Sequence, residues 1–390
     1  MTSCKGFYKM GMGASKSKGS KRGATTKLGK GVVIPEDTES YPGFQVQYHM
    51  IDVQVTLQSN MDFNFAPGTT MVSTNIDSYY PTLAQAYSDG YRLTKFYRIP
   101  GAAQQQGFMS TAVNIPFQGI FTKFSAAPPS GESWQLKVEK AIMNVHHIRP
   151  GILSTTSMSH ADTSDVLSKI TQHTASGGQL ICVEMTGQAV SQGMSAALGE
   201  MSTGIGVDLF FDIPTHPNPR HYVYQAVNVP INMSISVGSV TGKINREDAC
   251  DWQGQMTTLL QQGWRLAEIF FDQSSAAQAH GFSATQALNS VWFFEKEASR
   301  IDDPRPVYEG TVIEYEHMIE FGFATLQLQA STAQWDSVLS EMGKRGWELA
   351  CILETPAYKM TRGLLKMKMK KKFLIIQGKN VLLSVHSIHL

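Results

Sequence analysis

A four-residue signature, Gly–aromatic–x–Leu, recurs along the chain at long and even intervals. It stands as Gly90-Tyr91-Arg92-Leu93, Gly263-Trp264-Arg265-Leu266 and Gly346-Trp347-Glu348-Leu349, with a degenerate copy, Gly177-Gly178-Gln179-Leu180. The four glycines are 87, 86 and 83 residues apart. A near-constant period of this length constrains the fold more than any composition, because it means tandem copies of one supersecondary unit.

The neighbours of each signature repeat as well. A helical pattern precedes it: Trp335, Val338, Leu339 and Met342 fall at i, i+3, i+4 and i+7, and Trp252, Met256, Leu259 and Leu260 also share one face. Tyr79, Leu83, Ala86 and Tyr87 do the same before Gly90, and Val166, Leu167 and Ile170 before Gly177. The Gly then stands where a helix closes in a left-handed turn. After it, residues alternate as a strand, as in Trp347, Leu349, Cys351 and Leu353. Long alternating runs at 44–57, 134–145, 222–237 and 312–328 open the units, and runs at 117–124, 207–213, 291–295 and 364–377 close them. The unit predicted is β-α-β-β, used four times, in an α+β fold. Units one and three share Gly-aromatic-Arg-Leu. Units two and four share Leu-x-Cys, with Cys182 and Cys351 each five residues after the Gly. This ABAB order predicts two similar halves, 44–215 and 220–378, each an antiparallel-rich sheet with helices on one face. Pro214, Pro217 and Pro219 mark the linker. Residues 1–43 read as a basic tail and 379–390 as a C-terminal tail. Gly90, Tyr91, Gly177, Gly263, Trp264, Gly346 and Trp347 read as structural: the aromatic packs helix on sheet, and the Gly ends the helix.

Apolar residues make up 42% of the chain, enough to bury a core. No apolar run is long enough for a spanning helix, and the first 30 residues lack the apolar stretch of a secretory signal. Cys4, Cys182, Cys250 and Cys351 lie far apart with no CxxC, which argues against a disulfide scaffold and a zinc site and fits a reducing compartment. His146, His147, His160 and His173 lack any metal-site spacing and read as solvated. No Walker loop, dinucleotide fingerprint or GxSxG occurs. Cys182 and Cys351 sit on apolar strands and read as packing residues. The stretches 187–206 and 273–289 read as solvated loops, with partner binding as a second reading. The expectation is a non-enzymatic protein with no cofactor and no metal. A small-ligand or enzymatic function is the alternative and needs a pocket with converging polar groups.

The ends carry the functional signal. Residues 1–30 hold eight Lys or Arg and no acid, and residues 362–390 hold seven and again no acid. Between them, 18 basic residues face 32 acidic ones, a net of −14. An acidic body argues against direct nucleic-acid contact, and basic ends suit anionic membrane lipids. Met10-Gly11-Met12-Gly13-Ala14-Ser15 and Met12-Gly13-Ala14-Ser15-Lys16-Ser17 both fit the myristoylation pattern at Gly11 and Gly13. Lys16, Lys18, Lys21, Arg22, Lys27 and Lys30 follow at once. Acylation needs a free N-terminal Gly, so this reading requires translation to start at Met10 or Met12. Otherwise Cys4, flanked by Lys5 and Lys9, is the candidate for palmitate. Near the other end, Lys366, Lys368, Lys370 and Lys372 alternate with Met367, Met369 and Phe373. This predicts an edge strand guarded by lysines, or a second lipid-facing patch.

From Met10 to Gln377 the chain resembles the raftlin family. The resemblance rests on the Met10-Gly11 start, the Gly-Tyr-Arg-Leu unit, Val291-Trp292-Phe293-Phe294-Glu295 and the run from Arg345 to Pro356, which includes Gly346-Trp347-Glu348-Leu349-Ala350-Cys351. It implies a dually acylated scaffold of plasma-membrane lipid rafts at the cytoplasmic face, with access to endosomes. It further implies work with membrane receptors in immune signalling and in ligand uptake, double-stranded RNA included. Gly11 matches the family's myristoylated Gly. Met12 stands where the family has its palmitoylated Cys. The family's acidic insert between halves and its extended tail have no counterpart here, so roles carried by those segments do not transfer.

Overall fold

The computed structural model describes residues 32, 34, 44–61, 70–99, 104–105, 112–125, 133–148, 156–195, 200–216, 220–238, 243–280, 283–322, 327–330, 335–363 and 366–380. The fold is mostly β and antiparallel. The first segment holds β1 (Val46–Met61), β2 (Thr70–Thr74), the short α1 (Tyr80–Gln85), β3 (Arg92–Arg98), β4 (Gln104–Gln105) and β5 (Ala112–Phe124). The second holds β6 (Trp134–Ile148), β7 (Thr156–Asp162), α2 (Ser164–Ala175), β8 (Gln179–Ser195) and β9 (Glu200–Pro214). The third holds β10 (Tyr222–Val237), β11 (Ile244–Asp248), α3 (Trp252–Leu260), β12 (Arg265–His280) and β13 (Ser283–Glu297). The fourth holds β14 (Tyr308–Gly322), β15 (Gln327–Ala330), α4 (Trp335–Gly343), β16 (Glu348–Arg362) and β17 (Lys366–Asn380).

Within each segment the last strand pairs antiparallel with the first: β1 with β5, β6 with β9, β10 with β13 and β14 with β17. A short strand precedes every helix and pairs with the opening strand. The sequence reading lacked this element, since strands of 5, 7, 5 and 4 polar-rich residues carry too little periodicity to be marked.

Pairing also joins the segments. β2 pairs with β8, β7 with β12, and β11 with β16. Each helix reaches the first strand of the segment after its own: α1 touches β6, α2 touches β10, α3 touches β14, and α4 returns to β1. The core follows the same order. Phe96 and Phe117 pack with Cys182 and Phe210; Val166 and Phe211 with Phe270 and Phe293; Trp252 and Trp292 with Leu353 and Leu374; and Trp335 and Phe373 with Tyr97 and Ile120. Each apolar cluster therefore spans two successive segments, and the fourth closes on the first. The prolines near 215–220 do not interrupt this network, because Ser159 of β7 faces Ser275 of β12 across that boundary.

Two local readings are corrected. Over their described residues, the stretches 187–206 and 273–289 are strand rather than loop: they lengthen β8, β9, β12 and β13. Their small polar residues obscured the alternation. β17 is not an edge strand: β14 flanks it on one side and β16 on the other. Its lysines meet acids instead. Lys366 and Lys368 lie 3.0 and 2.7 Å from Glu320, Lys370 lies 3.0 Å from Glu316, and Lys372 lies 2.8 Å from Glu314. The acids sit at alternate positions of β14, a partner that only the register supplies.

Candidate functional site: a buried charged centre

The repeat glycines define the geometry. Gly90, Gly177, Gly263 and Gly346 have φ of 78°, 88°, 83° and 77°, and they are the only described glycines in the left-handed region. Each donates to the carbonyl three residues back, and the next residue donates to the carbonyl five back, as in Gly263 to Leu260 and Trp264 to Leu259. Lysines from the closing strands lie over the following rings: Lys123 over Tyr91, Lys296 over Trp264 and Lys379 over Trp347, at 5.4 to 5.9 Å. Gly178 replaces the aromatic in the second segment, where a Cβ would stand 2.9 Å from the His173 carbonyl oxygen. These residues pack and turn, as their sequence context implies.

Each of these turns feeds β3, β8, β12 or β16. A β-bulge follows the signature Leu in all four, between Leu93 and Lys95, Leu180 and Cys182, Leu266 and Glu268, and Leu349 and Cys351. A bulge re-aims the next side chain. The four strands touch in cyclic order, β3–β8–β12–β16–β3. The residue five after each repeat glycine is therefore brought towards one centre: Lys95, Cys182, Glu268 and Cys351.

Glu268 is fully buried and Lys95 is 4% exposed. Lys95 Nζ donates to Glu268 Oε2, which also accepts the Val183 N–H at 3.2 Å. Glu268 Oε1 accepts the Ile269 N–H at 2.8 Å and the Cys351 thiol at 3.0 Å. One carboxylate thus collects donors from all four segments. Cys182 accepts the Phe96 N–H at 3.4 Å.

The electrostatics follow from burial. Burial alone works against the charge on Lys95, but Glu268 and the neighbouring thiols and Glu184 outweigh it and hold the ammonium above the usual lysine range. Burial pushes both thiols up, with Glu268 adding to the shift of Cys351. Both sulfurs stay protonated, and Cys351 acts as a donor rather than a nucleophile. Glu184, two residues beyond Cys182, is pushed up to about 7 chiefly by burial, against the pull of Lys95 and Arg98.

A second tier of polar contacts surrounds this centre, two residues after each glycine. Arg92 binds Asp212 at 2.5 Å and Gln179 at 2.8 Å. Gln179 donates to Glu295 at 3.2 Å, Arg265 to the same carboxylate at 2.8 Å, and Arg265 lies 3.6 Å from Glu348. Tyr48 of β1 joins the fourth segment to the first, accepting the Leu349 N–H at 2.8 Å and donating to the Trp347 carbonyl at 3.1 Å.

Lys95 and Glu268 were missed in the sequence. Their offset from the repeat Gly was the available signal, since it is the same as that of Cys182 and Cys351. Among the described residues no group of three or more His, Cys, Asp or Glu could hold a metal ion. No described helix is long and apolar enough to cross a membrane. Cys4, Gly11, Gly13, Lys16, Lys18, Lys21, Arg22, Lys27 and Lys30 lie outside the described residues. No protein-family model, curated protein or solved structure matches the chain.

Proposed function

We propose that the four segments are copies of one β-α-β-β unit in ABAB order, and that the ring they close is a non-enzymatic scaffold. In this reading the N-terminal tail holds it to anionic lipid at the cytoplasmic face of the plasma membrane, where it presents a rigid body to membrane receptors. The observation that carries the scaffold reading is the Glu268 carboxylate, whose four donors come from four segments. Such a centre ties the ring shut, and its raised thiols are poor nucleophiles.

The tail supports the membrane half of the reading. A myristoyl chain gives a binding constant of only ~10⁴ M⁻¹ and needs a second signal. Lys16, Lys18, Lys21 and Arg22 supply it at ~1 kcal/mol each near an anionic leaflet. The rest of the chain, 31–390, with 25 basic against 32 acidic residues and a net of −7, is repelled by the same surface, so attachment falls to the tail. Val32 and Ile34 pack on the core cluster of Trp335 and Phe373, which sets where the tail leaves the body. The resemblance to the raftlin family points the same way.

The test is flotation with anionic vesicles and cell membranes, using a chain that starts at Met10. The acylated protein floats and is only partly released by high salt. Gly11→Ala with Gly13→Ala makes binding salt-sensitive and moves the protein towards the cytosol. If that double variant still floats at high salt, neither the acyl chain nor the tail charge is the anchor.

A further inference from the structure

We infer that His146, His160 and Met158, on the outer face of the second segment, bind a monovalent copper ion. His146 of β6 and His160 of β7 are direct partners in the antiparallel register, so their side chains stand on the same face of the sheet. Directly opposite Cβ atoms lie ~4.5–5.5 Å apart, a spacing from which two imidazoles reach one metal ion at about 2 Å each. Both residues are exposed. The next pair on this face is Ile148 with Met158, also exposed, at 49% and 51%. The Met158 thioether thus starts two residues from one imidazole and diagonal to the other. Its unbranched, flexible side chain lets the sulfur swing onto a metal held between them.

The arrangement is particular to one segment. The equivalent cross-strand pair follows the inward-facing Leu57, Val145, Met233 and Ile319 of the four opening strands. It is Gln58 with Ser73 in the first segment, Ser234 with Glu247 in the third and Glu320 with Gln329 in the fourth. Nothing in the repeat calls for two histidines here. They stand 14 positions apart in the sequence, outside any metal-site spacing, and only the pairing brings them together. The flanking strands set small residues beside the site, Ser202 opposite His146 and Ala276 opposite Met158, which leaves room above it.

The donor set selects the metal. Imidazole serves zinc and copper alike, whereas a thioether favours monovalent copper. The carboxylate that zinc would take is engaged at the start of α2: Ser164, through its backbone N–H at 3.0 Å and its hydroxyl, holds Asp162 below the usual carboxylate range, and His146 and His160 add to that. Among the described residues no three His, Cys, Asp or Glu form a metal site, so the third ligand here is the thioether. The scattered cysteines fit a reducing compartment, where copper is monovalent.

The probe is copper(I), offered anaerobically as its bicinchoninate complex to the full-length chain with ¹³C-labelled methionine methyls. The methyl resonance absent from Met158→Leu identifies Met158. One equivalent of copper is expected to leave the competitor and to move this resonance. His146→Asn, His160→Asn and Met158→Leu, all at exposed positions, should each lose that equivalent with an unchanged urea midpoint. Cysteines elsewhere take up copper equally in all four proteins, so the difference between the proteins is the readout. The inference is overturned by a Met158 resonance that copper does not move, by wild-type copper uptake in either histidine variant, or by unaltered copper affinity in Met158→Leu. It is also overturned if an equal amount of zinc displaces the copper and Asp162→Asn abolishes that displacement.

Discussion

Lysine meets glutamate both at the buried centre and on the β14–β17 face, and the two places have little else in common. At the centre, Lys95 and Glu268 are withdrawn from water and share their remaining valences with backbone N–H groups and a thiol. On the β14–β17 face, Lys366, Lys368, Lys370 and Lys372 meet Glu320, Glu316 and Glu314 in solvent. The residue types are the same; what differs is what happens when one partner is removed. In solvent, water replaces the lost partner and salt screens the rest. At the centre nothing replaces it, and an unpaired charge stays in an apolar interior. The outer ladder is a solvated face, whereas the inner pair is a constraint on which closed arrangement the chain can adopt.

The largest expected effect comes from breaking the inner pair. Glu268→Ala leaves Lys95 buried and uncompensated and should cost ~3–5 kcal/mol in urea unfolding. Lys95→Met together with Glu268→Leu should cost much less than either single change, because it removes both charges at once. A double variant as unstable as Glu268→Ala would show that the carboxylate acts through its backbone and thiol partners rather than through its charge.

Glu184 sharpens the comparison at an intermediate scale. Its pKa of about 7 in the folded chain exceeds the ordinary 4.5, so the folded state binds the extra proton between those values. Stability from this group is therefore present at low pH and is lost as pH rises through about 4.5 to 7, by up to ~3 kcal/mol. Glu184→Gln should flatten the difference between urea midpoints measured at either end of that window. An unchanged pH slope would place the titration elsewhere.

The smallest effect is expected on the outer face. Glu320→Gln should shift the unfolding midpoint less than either change above, and the shift should vanish in roughly 1 M salt, where the screening length is a few ångströms. The penalty of Glu268→Ala should persist in the same salt. Equal salt dependence at both sites would erase the distinction between them.

Much of the fold was legible because it is written in local chemistry. A glycine that ends a helix in the left-handed region needs no tertiary context, and all four were placed by spacing alone. The helix faces ending in Met342 and Leu260 were equally readable, since a stripe at 3.6-residue spacing is buried whatever it meets; on α2, Val166 and Ile170 are buried but Leu167 is exposed. The centre was half legible. Cys182 and Cys351 stood out as a shared Leu-x-Cys, but a lysine and a glutamate at the same offset look like ordinary strand residues until their strands are brought together. β17 misled for the same reason: its lysines read as edge protection, and the acids that answer them lie some 50 residues away on β14.

By itself, then, the sequence determined the left-handed turn at each of the four glycines and the strand that follows it, because these depend on contacts within a few residues. Only the tertiary structure decided the closure. Helices that pack on the next segment's first strand, a fourth core cluster that returns to the first, and four bulged positions meeting at one carboxylate all join residues from different segments of the chain. Nothing local distinguishes Glu268 from a solvated glutamate. Its role comes from the low-dielectric interior that four segments build around it, where a charge must find its partners inside the fold.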